Sequence, residues 1–386
     1  MKNLKYIMLF AIIGYQINGQ DATFTQYMFN HLNLNPALVV TGNSQGSFQM
    51  NSRQQWLNLP GPTSYSGAYT FNQASVRLPI PSRVLKGFYT GFQFEQTGAG
   101  EGELNSFKTQ SFIGLSRRMA KNTTAQFGMG IGIIQNYLNW NYLTFTSQLD
   151  HYLGFVNPSP NVNPQLGQSN IAVTPSFGLR VQQASLDRSG RLKYVTNLGA
   201  AVYHFNKPTI SFFDNNSAIQ PRYSFYMTST NLMNKKYANL GVGARYIVLS
   251  HVYEYQSPLI TNSTNLGVQL GQDFFVFSGF RRKKFLAQEL NVDAVFFAFN
   301  WNMGWALGGL SYDWTISALN NSRTSGTAEM SFSLPFNYSK KWSRRLQSDL
   351  KENCWVDYLL MDAEWRANEN FRKNGKPRPV IIQQIP

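Results

Sequence analysis

Metal sites and nucleophilic centres are built from histidine, cysteine and grouped carboxylates, and this chain uses few of them. Its four histidines, His31, His151, His204 and His251, stand far apart with no ligand spacing. Its one cysteine, Cys354, has no base near it in sequence. Gly98-Ala99-Gly100-Glu101-Gly102-Glu103 is glycine-rich, but it lacks the Lys-Ser/Thr of a phosphate loop and reads as a hairpin tip. Gly128, Gly130 and Gly132 read as small residues on the inner face of a strand. No Ser or Asp/His group assembles into a hydrolytic site, so the sequence reads as that of a protein that is not an enzyme and takes no cofactor or metal.

The remaining chemistry is electrostatic. The formal charge is +15, with Arg281-Arg282-Lys283-Lys284, Arg117-Arg118 and Lys340-Lys341 falling at the ends of expected strands. There basic side chains can meet anionic lipid headgroups or lipopolysaccharide phosphates, or an acidic partner. Nucleic acid is not the natural partner, because the chain opens with an export leader. Lys2 and Lys5 precede an apolar core from Tyr6 to Tyr15, and Gly19-Gln20 offers a cleavage point.

Composition narrows the class of the exported chain. Its 386 residues are 15% aromatic and 14% charged, against about 25% charged in ordinary soluble proteins. A lone cysteine excludes an internal disulfide framework. No later stretch is apolar for the ~18 residues that a spanning helix needs. A transmembrane β-barrel explains the combination, since its outer face is apolar and aromatic and its inner face polar but often uncharged.

Period-two alternation supports that reading. Ala328, Met330, Phe332, Leu334 and Phe336 alternate with Thr327, Glu329, Ser331 and Ser333. The same pattern recurs over 125–133, 171–182, 238–246 and 265–271, and more weakly near 46–56, 64–72, 87–96, 107–117, 193–203, 222–230, 274–281, 291–301 and 304–313. About fourteen antiparallel strands result, each near the ~10 residues of a tilted membrane strand, and an even count returns both termini to one side. With the termini periplasmic, the links 135–170, 204–221, 249–263 and 314–325 fall outside, and 121–123 and 301–303 inside. The links 73–86 and 183–192 are longer than inner turns should be. A soluble β-sandwich also alternates, but it does not explain so many long strands with uncharged polar faces.

Residues 1–19 therefore read as signal peptide, 20–44 as an N-terminal segment, 45–338 as barrel and 339–386 as a C-terminal extension. About a third of that extension is charged, unlike the barrel. Trp342, Leu346 and Leu350 recur every fourth residue, and with Trp355 and Leu359 they suit an amphipathic periplasmic helix. The helix would dock a partner or cap the barrel mouth.

Several stretches, taken in order, carry a resemblance: Phe24-Thr25-Gln26-Tyr27 with Leu34-Asn35-Pro36-Ala37, Arg53-Gln54-Gln55-Trp56 running into Leu59-Pro60-Gly61-Pro62, Ser311-Tyr312-Asp313 before Ile316-Ser317-Ala318-Leu319, and Gly326-Thr327-Ala328-Glu329-Met330. Together they resemble the PorP/SprF family, outer-membrane proteins of the type IX secretion and gliding-motility apparatus of Bacteroidetes. Leu310 and Thr327-Ala328 depart from residues usual in the family, which bears on the branch more than on membership.

The resemblance implies an outer-membrane accessory of type IX secretion. It would work with outer-membrane or periplasmic secretion components and help a large secreted adhesin with a type IX C-terminal domain to cross or stay attached. Residues 24–37 would then form a plug at or inside the periplasmic mouth, anchored by Phe24, Tyr27, Phe29, Leu32 and Leu34 and closed by Asn35-Pro36. Arg53, Trp56, Asp313 and Glu329 fall on signature positions. The three charged ones are expected to face the lumen, either in a stabilising network or at a ligand. A passive or hydrophobic-solute channel and a purely structural barrel remain as alternatives.

Overall fold

The computed structural model describes residues 21–40, 46–59, 68–80, 87–100, 104–120, 122–138, 148–150, 152–155, 169–186, 192–210, 218–232, 246–270, 274–285, 289–303, 305–317 and 320–336. The leader at 1–19 and the extension at 339–386, with Trp342, Leu346, Leu350, Trp355 and Leu359, lie outside them.

Alternating side chains fit only a sheet with two different faces, and here the sheet closes on itself. The strands are β1 (Gly46–Gln55), β2 (Tyr69–Pro79), β3 (Phe88–Ala99), β4 (Leu104–Ala120) and β5 (Thr123–Tyr137). A two-residue pair, β6 (Leu149–Asp150) and β7 (Gly154–Phe155), stands apart from the main sheet. Then come β8 (Ser169–Leu186), β9 (Leu192–Tyr203), β10 (Arg222–Leu232), β11 (Tyr246–Gln256) and β12 (Leu259–Leu270). The last four are β13 (Phe274–Phe285), β14 (Asn291–Asn302), β15 (Leu307–Thr315) and β16 (Thr327–Phe336). Fourteen of these form a closed antiparallel barrel in which β16 pairs with β1, from Gly46 opposite Phe336 to Gln55 opposite Thr327. Closure leaves no unpaired strand edge, which hydrocarbon would not tolerate.

The two faces differ as membrane and lumen require. On β5, Phe127, Met129, Ile131 and Ile133 point outward and are exposed, whereas Gln126, Gly128, Gly132 and Ile134 point inward and are buried. Outward aromatic groups gather at both rims: Tyr223 stacks with Tyr255 at one, Phe274 with Phe299 and Phe299 with Trp301 at the other. Such girdles mark the interfaces of a membrane barrel. The end where β1 begins and β16 finishes is termed the terminal end, and the opposite one the loop end.

Several boundaries depart from the sequence reading. Residues 249–263, expected as an outer loop, belong mostly to β11 and β12, joined by a tight turn at Ser257-Pro258. His251 and the polar pair Glu254 and Gln256 hid the alternation there. Of the strand expected at 238–246, only Tyr246 is described, and it opens β11. β2 continues to Pro79, through inward Gln73, Ser75 and Arg77, so the long link expected at 73–86 shrinks. The basic run at 281–284 is split by the pleat: Arg281 is buried in the lumen and Arg282 is exposed outside.

Candidate functional site

Residues 21–40 lie inside the ring of strands. They form a 3-10 turn at Tyr27–Phe29, one helical turn at His31–Leu34 and a second 3-10 turn at Pro36–Val39. The segment folds on itself, with Asn33 Nδ2 3.5 Å from the Ala22 carbonyl. The local sequence explains the last turn. Asn35 accepts the Ala37 N–H with its side-chain oxygen and Pro36 occupies the first helical position, where no N–H is needed. The Asn35 amide meanwhile donates to the wall, to Leu179 O at 2.8 Å and Ala200 O at 3.2 Å.

The wall is shaped to admit this turn. Gly114, Gly128 and Gly178 face one another across β4, β5 and β8. A methyl group on Gly128 would overlap the Pro36 carbonyl, and one on Gly178 would overlap the Asn35 side chain. Glycine is needed here for the closeness of two backbones.

Apolar contacts seat the rest. Met28 and Phe29 pack with Val248, Phe275 and Phe277, Tyr27 and Leu34 with Tyr226 and Val252, and Leu32 and Val39 with Tyr89 and Phe112. Phe24 meets Phe71 edge-on at 6.3 Å. These contacts reach the inward faces of β3, β4, β10, β11 and β13. The lumenal apolar residues on β3, β4, β11 and β13 would otherwise face water, which draws the segment deeper.

Two polar groups fix its first half, both toward the loop end. In one, Arg53 donates to Asp313 at 2.9 Å and to Glu329 at 3.0 Å, and Arg281 reaches Asp313 at 3.0 Å. All four side chains are about 2% exposed. Thr25 stands at the centre. Its hydroxyl donates to Asp313 at 2.7 Å and accepts from Arg53 at 3.1 Å and Arg281 at 2.6 Å. Glu329 takes the backbone N–H groups of Thr25 and Gln26, each at 2.9 Å, and the Asn51 amide at 2.7 Å. Two positive and two negative charges balance, the condition under which buried ions are tolerated.

In the other group, Asp21 meets His204 Nε2 at 2.9 Å and Arg222 at 3.3 Å. Burial works against the charge on Asp21, but His204, Lys108 and Arg222 outweigh it and hold the carboxyl well below its ordinary range. Arg222 also donates to the Asn33 carbonyl at 2.7 Å and lies 4.4 Å from the centre of the Tyr203 ring. Nearer the terminal end, Arg77 donates to the Leu38 carbonyl at 2.7 Å.

Of the four signature residues, then, Arg53, Asp313 and Glu329 meet. Trp56 does not join them: it has φ of 60°, and its ring packs edge-on against Tyr69 at 5.3 Å. Sequence reasoning missed Thr25, Asn51 and Arg281, and the whole Asp21 group. Arg281 was signalled by its phase, two residues beyond inward Gly279, but the run of four basic residues hid it. Among the described residues no group of His, Cys, Asp and Glu could hold a metal ion.

The family model described as type IX secretion system membrane protein PorP/SprF matches residues 16–334. The chain belongs to the PorP/SprF family. This PorP/SprF chain is thus an outer-membrane barrel of the type IX secretion system. Among solved structures it is similar to a monoaromatic hydrocarbon channel, the TodX deltaS2S3 mutant, at 10% identity over 82% of this chain and 95% of that one, TM-score 0.43. It is similar also to the Pseudomonas putida toluene transporter TodX, at 11% identity over 79% and 93%, TM-score 0.41, and to the KdgM porin, at 7% over 76% and 99%, TM-score 0.33. No curated protein matches.

Proposed function

We propose that this PorP/SprF barrel is a plugged accessory that acts by protein–protein binding. It supports secretion and surface attachment of a large adhesin or other cargo bearing a type IX C-terminal domain, and it carries out no covalent chemistry. The observation that carries this reading is the occupancy of the lumen. Residues 21–40 are held by two charge clusters, a glycine-lined seat and three apolar contacts, more anchoring than a freely conducting pore would retain. In this reading the termini are periplasmic, the loop end faces outward, the leader is removed near Gly19-Gln20, and the extension after Tyr338 meets secretion components.

A mild-detergent pull-down from outer membranes, with the full chain and with a version ending at Tyr338, tests the reading. A very large secreted protein or periplasmic secretion components should accompany the full chain and fall away on truncation. Retrieval of neither, together with stable single-channel conductance of the purified full chain, would replace this reading with that of a passive or hydrophobic-solute channel.

A further inference from the structure

Much of the wall's grip on residues 21–40 falls on their main chain. Arg77 donates to the Leu38 carbonyl, Tyr203 to that of Leu32 and Arg222 to that of Asn33, each at 2.7 Å. Glu329 accepts the consecutive N–H groups of Thr25 and Gln26, one on each carboxylate oxygen, and Gln256 accepts the Asp21 N–H at 2.8 Å. β2 and β16 flank β1, and β9, β10 and β11 lie across the ring from it, so these five side chains close on the segment from both sides. Carbonyl and N–H groups are common to every polypeptide, whatever its side chains.

The same wall leaves much of its polar capacity unused. Gln49, Ser75, Gln93 and Gln110 lie side by side across β1 to β4, and Gln73 is next to them on β2. All are buried, yet Gln49 Nε2, Ser75 Oγ, Gln93 Oε1 and both amide atoms of Gln73 and Gln110 have no partner among the described residues. On the segment, the Gln26 and Asn30 amides are buried and unmet at both atoms. Unmet buried polar atoms weaken an association, so residues 21–40 match their site incompletely. We propose that the lumen is a binding site for a stretch of a partner polypeptide, recognised through its main chain, and that residues 21–40 occupy it as a replaceable stand-in. Acceptance of two consecutive N–H groups by one carboxylate selects a polypeptide over a sugar or a lipid. The unused amides select polar, uncharged side chains where the partner passes β1 to β4. This inference rests on the reading of the barrel as an accessory that acts by protein–protein binding.

A dye-labelled synthetic peptide of residues 21–40, followed by fluorescence anisotropy against the full chain in detergent, tests the site. The attached segment competes as a tethered ligand. Phe29→Ala with Leu32→Ala loosens that segment and leaves the wall unchanged, and a chain lacking residues 22–36 offers the site already open. Heat-shifted mobility on a gel confirms that each is a folded barrel. The peptide should bind both variants at least about tenfold more tightly than the parent chain, and its binding to the first should open the attached segment to protease. Methylating the peptide nitrogens of Thr25 and Gln26 removes both donors to Glu329 and should weaken binding about tenfold, and Tyr203→Phe in the wall about fivefold. A peptide with Gln26→Met and Asn30→Leu should bind at least as tightly as the original. No binding, indifference to the methylation or to Tyr203→Phe, weaker binding of the Met and Leu peptide, or binding without protease exposure of the attached segment would overturn the proposal. Peptide capture with no partner in the pull-down keeps this site and removes the accessory role; a partner in the pull-down with no peptide capture does the reverse.

Discussion

Thr25 has a hydroxyl that can donate once and accept twice, and all three capacities are used between Asp313, Arg53 and Arg281. A residue that looks unremarkable in sequence is thereby the joint between the segment and the wall. Removing one charge from such a buried group leaves the others uncompensated, which costs about 3–5 kcal/mol. Arg53→Leu should accordingly lower the urea midpoint of the barrel in detergent, followed by tryptophan fluorescence. Adding Glu329→Leu should restore much of the loss, because the pair is then removed together. Additive losses would mean that Arg53 and Glu329 act separately.

At the scale of elements, the Asn35-Pro36-Ala37 turn and the glycines of β4, β5 and β8 form one fitted pair. Gly128→Val would put a branched side chain where the Pro36 carbonyl lies. The strand itself tolerates valine, whose propensity for β structure is higher. The expected outcome is a barrel that still forms while residues 21–40 lose their seat, read as new protease cleavage within that segment beside an unchanged heat-modifiable barrel. Protection equal to the parent would count against the fitted-seat account. The strands were mostly legible in the sequence because period two is a strong signal wherever one face meets lipid. Legibility failed where outward residues are polar, as at His251 in β11, and where lumenal charges interrupt the count, as at Glu254. The signature charges Arg53, Asp313 and Glu329 were expected in the lumen from the resemblance, and Glu329 also from its phase. Their partners were not, because which strands face across a lumen depends on closure and tilt, and neither is written in local pattern.

For the whole molecule, the interior is filled by chain that belongs to no strand. Three buried apolar clusters include residues of the N-terminal segment, so the barrel has a core in the sense of a soluble domain. Deleting residues 22–36 should empty it. Reconstituted in planar bilayers, the deletion variant is expected to conduct ions where the parent is silent, and to unfold at lower urea. A parent that conducts as well as the variant would show that residues 21–40 do not close the pore.

The segment's covalent position adds one consequence. Residues 21–40 precede β1 instead of linking two strands, and no rung of the fourteen-strand ladder passes through them. They can therefore be drawn out like a stopper on a cord, breaking their contacts with the lumenal wall while every inter-strand hydrogen bond stays made.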